Sequence, residues 1–264
     1  MRYRNKALLV SAVTALTLLT GCSSAGKAGT FFGPSEKLGA GTVKSYVTLD
    51  EAGKPTEFGV RMSATALDGL PPAGAPLTVM LAVPDQAKET AFDNVMLNWN
   101  PTGHDPAPLF GKPHFDMHFD MIDMASLHAI DPADKDFATK AAHVPDPKYV
   151  PAGYVTPPGA PLTALAVPGM GVHLVDGSDT SLVPGKYDFT RIIINGIWDG
   201  RYTFVEPMIT RDWLLTKPTF EQPLKLPQAY QKNGYYPTKY AVSFDEQAKE
   251  YVVSVGGMSM RTAS

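Results

Sequence analysis

The residues from His114 to Asp120 alternate without a break, with His114, Asp116, His118 and Asp120 on one parity and Phe115, Met117 and Phe119 on the other. A period of two is that of an extended strand, so one side of this segment is apolar and the other carries proton- and metal-binding groups. Weaker alternation predicts strands over 42–49, 58–62 and 94–99. The unbroken apolar run from Leu77 to Val83, ended by Pro84, predicts a central strand buried on both faces. Segment 85–92 is short enough for one or two helical turns. Strand patterns return over 169–176, 187–198 and 201–209, and Asp199-Gly200 between the last two predicts a type I′ hairpin. A second hairpin is predicted from 239–244 and 250–255.

After Ile122 the period lengthens towards 3.6, which predicts a helix starting at Asp123 and a second over 134–142. Asp212 to Leu215 is a further short helix or turn. Seven prolines lie between Pro145 and Pro168. Each lacks the N–H that a sheet ladder needs, so this stretch is a long surface excursion. The sum is a mainly β chain: an antiparallel sandwich or barrel-like single domain with a few short helices and a long Pro-rich loop.

The first residues change the picture from fold to address. Met1-Arg2-Tyr3-Arg4-Asn5-Lys6 is basic, Ala7 to Leu19 is apolar, and Leu19-Thr20-Gly21-Cys22 follows. The segment has the plan of a secretory signal peptide and is too short for an ordinary membrane span. Its last four residues resemble the bacterial lipobox, which implies cleavage before Cys22 and acylation of that cysteine. Cys22 is the only cysteine in the chain, so no disulfide or thiolate metal site is available. The chain then divides into a lipoprotein signal peptide (1–21), a lipidated cysteine with a flexible tether (22–35) and one globular β-rich domain (36–264). The expected location is the cell envelope, anchored in the membrane by lipid; in a Gram-negative host, Ser23 after the cysteine points to the outer membrane, facing the periplasm.

Loss of residues 1–21 removes Arg2, Arg4 and Lys6 and no acidic residue, leaving 20 Lys+Arg against 26 Asp+Glu. A mildly acidic chain lacks the basic footprint that nucleic acid requires. Five blocks carry a further likeness: Pro113 to Phe119, Pro151 to Val155, Met170 to His173, Phe204 to Thr210 and Gly234 to Tyr240. Together they resemble an uncharacterised family of secreted bacterial proteins, many of them lipoproteins. The resemblance implies secretion and brings no reaction and no site residues.

All six histidines lie between His104 and His173. Imidazole with carboxylate suits a divalent transition metal, and the candidate ligands are His114, Asp116, His118, His173 and Glu206, with His104 further off in a loop. Same-face neighbours on a strand are roughly 6.6 Å apart and residues four apart about 13 Å. His114 and His118 therefore do not share an ion, whereas Asp116 pairs with either. The expected set is Asp116 with one strand histidine, completed by His173 and Glu206. Three uses of these residues stay open: binding or sensing of a metal ion or small ligand, proton-transfer chemistry with His118 or His114 as base oriented by Asp116 or Glu206, and a purely structural hydrogen-bonded ladder in an envelope assembly subunit. The methionines, Met117, Met121, Met124, Met170 and Met208 among them, read as core filling.

Overall fold

The computed structural model describes residues 27–264. The signal segment, Cys22 and the first part of the tether lie outside the described residues. The strands in chain order are β1 (Gly29–Phe32), β2 (Glu36–Leu38), β3 (Gly41–Leu49), β4 (Pro55–Ser63), β5 (Leu77–Ala82) and β6 (Asn94–Asn100). They continue with β7 (His114–Asp120), β8 (Tyr154–Val155), β9 (Ala166–Val167), β10 (Gly171–Asp176), β11 (Arg191–Trp198) and β12 (Arg201–Thr210). The last are β13 (Phe220–Pro223), β14 (Gly234–Tyr236), β15 (Lys239–Asp245), β16 (Glu250–Gly256) and β17 (Ser259–Arg261).

They form two large antiparallel sheets and a small ribbon, β14 with β17. One sheet has the order β1-β3-β4-β16-β15-β13, with β2 also on β3. The other runs β5-β6-β7-β12-β11-β10-β8, with β9 also on β10. The facing sides of the two sheets share one apolar core. Val47, Phe58, Val60, Val253 and Val255 from the first sheet meet Leu97, Phe115, Met117, Phe119 and Ile209 from the second. Aromatic contact crosses the interface, with the Phe119 ring 5.6 Å from Phe58 and 5.9 Å from Phe92. Each such side chain stabilises the sandwich by roughly 1.5–3 kcal/mol through burial. The sheets are sandwich-like and do not close into a barrel.

The period-two pattern of β7 thus has its predicted consequence on one side. The other side is the less ordinary one. The segments following β6 and β7, with the Pro-rich excursion, form a third layer over the outer face of the second sheet. Ile122, Leu127, Ile130 and Ala141 pack there with Met96 and Trp198, and Phe110 and Phe189 pack with Ile194, Phe204 and Met208. Every residue of β7 is consequently buried, polar ones included. Here burial of the polar face costs free energy unless each group finds a partner.

Several local predictions match. Asp123 caps the helix Met124–His128, its carboxylate accepting from the Ser126 N–H at 2.7 Å. The hairpin β11–β12 closes Trp198 on Arg201 around Asp199 and Gly200, whose φ angles of 45° and 71° are those of a type I′ turn. Two expectations need correction. Leu77 to Ala82 is not a central strand but the edge of its sheet, and of its six residues only Leu81 is fully buried. Its continuous apolar character comes from the third layer, where Met80 packs beside Met96, and from the sandwich core, where Leu77, Val79 and Leu81 pack. Nor is the stretch 22–35 all flexible tether, since β1 lies within it and pairs with β3. Glu206, with Pro207, lies inside β12, between β7 and β11, as the strand pattern over 201–209 predicts. The ladder from β12 to β7 has pairs at Phe204, Val205, Met208, Ile209 and Thr210 but none at Glu206 or Pro207, because proline brings no N–H.

Candidate functional site

The polar face of β7 is divided. His114 and Asp116 are joined by His104, while His118 is joined by His173 and Glu206, and within each trio one ligand atom per residue lies within 4.8 Å of the others. The strand spacing explains the division: His114 and His118 are too far apart to converge, as their four-residue separation requires. The expected single set is therefore not what forms. Asp116 does not meet His173 and Glu206, and His104 replaces them beside it.

In the first trio, His114 Nε2 lies 3.0 Å from Asp116 Oδ1 and His104 Nε2 lies 3.4 Å from Asp116 Oδ2. Asn100, on β6, donates its amide to Asp116 Oδ2 at 2.6 Å. His104 is delivered by the loop after β6. Gly103 has φ +71°, and a Cβ there would lie 2.2 Å from the Phe110 carbonyl oxygen, so only glycine lets this loop fold against Phe110. Both imidazoles are oriented from behind: His114 Nδ1 donates to the Lys112 carbonyl at 2.6 Å and His104 Nδ1 to that of Asp105 at 2.8 Å. A carbonyl only accepts, so Nδ1 carries the proton in each neutral ring and Nε2 presents a lone pair to the carboxylate. Lone pair facing carboxylate is repulsive without a proton or a cation between them. In the metal-free protein Asp116 favours a proton in that place at His104. Burial disfavours its charged form, but Asp116 more than offsets this and raises its pKa. Burial would likewise raise Asp116, yet the two imidazoles outweigh it and hold the carboxyl well below the ordinary range.

The second trio draws on three strands of one sheet. His118 comes from β7, Glu206 from β12 and His173 from β10. His118 Nε2 is 3.3 Å from His173 Nε2 and 3.5 Å from Glu206 Oε1, and His173 Nε2 is 3.7 Å from Glu206 Oε2. The Phe204 ring packs edge-on against both imidazoles, 4.7 Å from His118 and 5.0 Å from His173. Space for that ring exists because its cross-strand neighbour is Gly196, where a Cβ would meet the ring at 1.9 Å. His118 and Glu206 are sealed in, whereas the His173 side chain keeps 24% of its surface exposed.

Charge is scarce in this second group. Burial, then the neighbouring His173, lowers the His118 pKa to about 3, and burial lowers that of His173 to about 4. Burial raises the Glu206 carboxyl well above its ordinary value, with Asp116 and Asp120 adding to the shift. Burial thus disfavours charge on all three groups, on the imidazoles as cations and on the carboxyl as an anion. Their hydrogen bonding is incomplete: His118 Nδ1, His173 Nδ1 and Glu206 Oε2 are buried without partners, as are His114 Nε2 and Asp116 Oδ1 in the first trio. Buried polar atoms left over in such number ask for an explanation.

Sequence reasoning found five of these six side chains and set His104 apart as a loop residue. The signal that assigns it is local: Gly103 and the Asn100 pairing place the loop over His114. Asp120, on the same polar parity, joins neither trio and lies opposite Asn94 and Phe204.

Residues 50–99 match the model of the TTHB210-like family, described as hypothetical protein TTHB210. That stretch runs from the β3–β4 turn through β6, contributes to both sheets and contains no member of either trio. No curated protein and no solved structure gives a significant match.

Proposed function

We propose that this protein is a lipid-anchored protein of the bacterial envelope that binds a divalent transition metal ion through His118, His173 and Glu206. The observation that carries the proposal is the convergence of the three groups: the two Nε2 atoms lie 3.3 Å apart, and each faces a different oxygen of Glu206, His118 meeting Oε1 at 3.5 Å and His173 meeting Oε2 at 3.7 Å. Donors at about 2.0–2.1 Å around a tetrahedral ion stand about 3.3–3.4 Å apart, which is the spacing of the two imidazole nitrogens, with a carboxylate oxygen within reach of each. Two imidazoles and a carboxylate favour Zn over the harder Mg or Ca. The trio His104, His114 and Asp116 offers the same donor set a few residues away and is a second, more open position. The signal-peptide plan and the lipobox-like Leu19-Thr20-Gly21-Cys22 support the envelope half of the reading.

Metal content tests this. Protein purified without added metal, or dialysed against Zn and then desalted, is expected to retain the ion with near-unit occupancy at the second trio, and His118→Ala or His173→Ala is expected to abolish that occupancy. A folded wild-type protein that keeps no metal under either regime overturns the proposal. A second reading, metal-dependent hydrolysis, is favoured by one feature: three protein ligands leave a fourth tetrahedral position for water, as in catalytic zinc sites. His173, the exposed member, marks the side from which a substrate would arrive.

A further inference from the structure

A cavity of about 270 Å³, lined by no member of either trio, opens where β8, β10 and β11 of one sheet approach β13 and β15 of the other. Its walls carry Arg191, Asp176, Asp179, Asp188, Tyr154 and Tyr240, among others. Half of this charge is already matched. Asp176 pairs with Lys225 at 2.7 Å, and Asp188 pairs with Lys112 at 2.6 Å.

Two wall charges remain. The Arg191 guanidinium lies over the Phe220 ring at 3.9 Å and the Trp213 ring at 4.9 Å, and its one side-chain hydrogen bond is a long one of 3.3 Å to Thr190. Its Nε is buried without a partner, and no carboxylate pairs with it among the described residues. Aromatic faces hold such a fork in place while leaving its edge for a planar anion. Asp179 is the complement. One carboxylate oxygen accepts from the N–H and hydroxyl of Ser181 at 2.9 and 2.6 Å, which fixes the side chain, and no cation pairs with it among the described residues. One cation and one anion thus line the same cavity, each fixed by its own neighbours and neither paired with the other. The tyrosines add acceptors, since Tyr154 and Tyr187 spend their protons on the carbonyls of Ile193 and Arg191.

We infer that this cavity is a binding site for a small zwitterion of the α-amino acid type, with its carboxylate on Arg191 and its ammonium on Asp179. Neither trio takes part, so the site stands or falls independently of the metal reading.

Calorimetric titration with the free proteinogenic α-amino acids, one at a time, tests it. At least one is expected to bind, and its N-acetyl and amide forms are each expected to bind about tenfold or more weakly, as loss of a charge-assisted hydrogen bond implies. Asp179→Asn keeps the oxygen that serves Ser181 and so keeps the turn; it is expected to bind the free and N-acetyl forms equally. Arg191→Gln is expected to lose the preference for the free acid over the amide, and if this variant does not fold, Asp179→Asn decides alone. Absence of binding by every free amino acid overturns the inference. So does a bound amino acid that tolerates blocking at both ends, or whose preference for the free form survives in Asp179→Asn.

Discussion

His118 Nε2 and His173 Nε2 are 3.3 Å apart although β12 and β11 run between their strands. Three strand spacings of about 4.8 Å put their backbones about 14 Å apart on a flat sheet. Both imidazoles therefore lean inward over the intervening strands, above Glu206 of β12 and the side-chain-free Gly196 of β11. Such convergence of neutral nitrogen lone pairs and a carboxyl, inside a layer that buries them, is costly without a ligand to join them.

The protonation states give the first expectation. His118 and His173, lowered to about 3 and about 4, hold no extra proton at neutral pH, whereas burial favours the protonated form of the Glu206 carboxyl. Binding of a cation to the second trio should release about one proton, from Glu206, and affinity should rise with pH until that carboxyl is ionised. Calorimetry in buffers of different ionisation enthalpy reads the proton directly. Zero protons released, with affinity flat between mildly acid and mildly alkaline pH, would contradict these states. Glu206→Gln, which mimics the protonated carboxyl, should leave the metal-free protein about as stable as before and bind metal at least about 100-fold more weakly, by comparison with the 10–100-fold cost of losing only an outer-shell partner.

Asp120 yields a separate pH dependence. It is fully buried, neither oxygen has a partner, and burial, with Asp93 adding to it, raises its pKa well above the ordinary value. A raised folded-state pKa means stability that is fully present below the unfolded value of about 3.9 and is lost as pH climbs towards the folded value. Asp120→Asn, a copy of the protonated form, should therefore exceed the wild type in stability at pH 7–8, with the difference shrinking towards zero near pH 4. Urea midpoints measured with a chelator present check this. A difference that does not change with pH would show that Asp120 does not titrate in this way.

Gly196 is the third point. A methyl group there would meet the Phe204 ring at 1.9 Å, and that ring packs against both His118 and His173. Gly196→Ala should cost about 1–3 kcal/mol through overpacking and should weaken metal binding as Phe204 is displaced. Thermal unfolding with and without Zn separates the two effects, and a variant with unchanged stability and unchanged metal response would remove Gly196 from the account.

Much of this was legible in the chain, and the reasons differ by feature. Alternation over His114–Asp120 fixed which side chains face the core, since a half-buried strand has no other period, and Asp199-Gly200 named its turn because few residues accept positive φ. Spacing alone ruled out a shared ion for His114 and His118. What spacing could not supply was the lateral order of strands. The sequence separates His118 from His173 by 55 residues, and only the order β7-β12-β11-β10 shows that they converge across Glu206. Likewise, the apolar run of β5 looks central because a strand covered by a third layer has the same composition as one in the middle of a sheet. The strand pattern over 201–209 did not show that its ladder to β7 would open at Glu206 and Pro207.

The central claim is most directly tested by a crystal of Zn-treated protein measured on both sides of the zinc absorption edge. The expected result is an anomalous peak about 2.0–2.2 Å from His118 Nε2, His173 Nε2 and a Glu206 carboxylate oxygen. Well-ordered side chains at these positions with no peak between them, at saturating Zn, would contradict it.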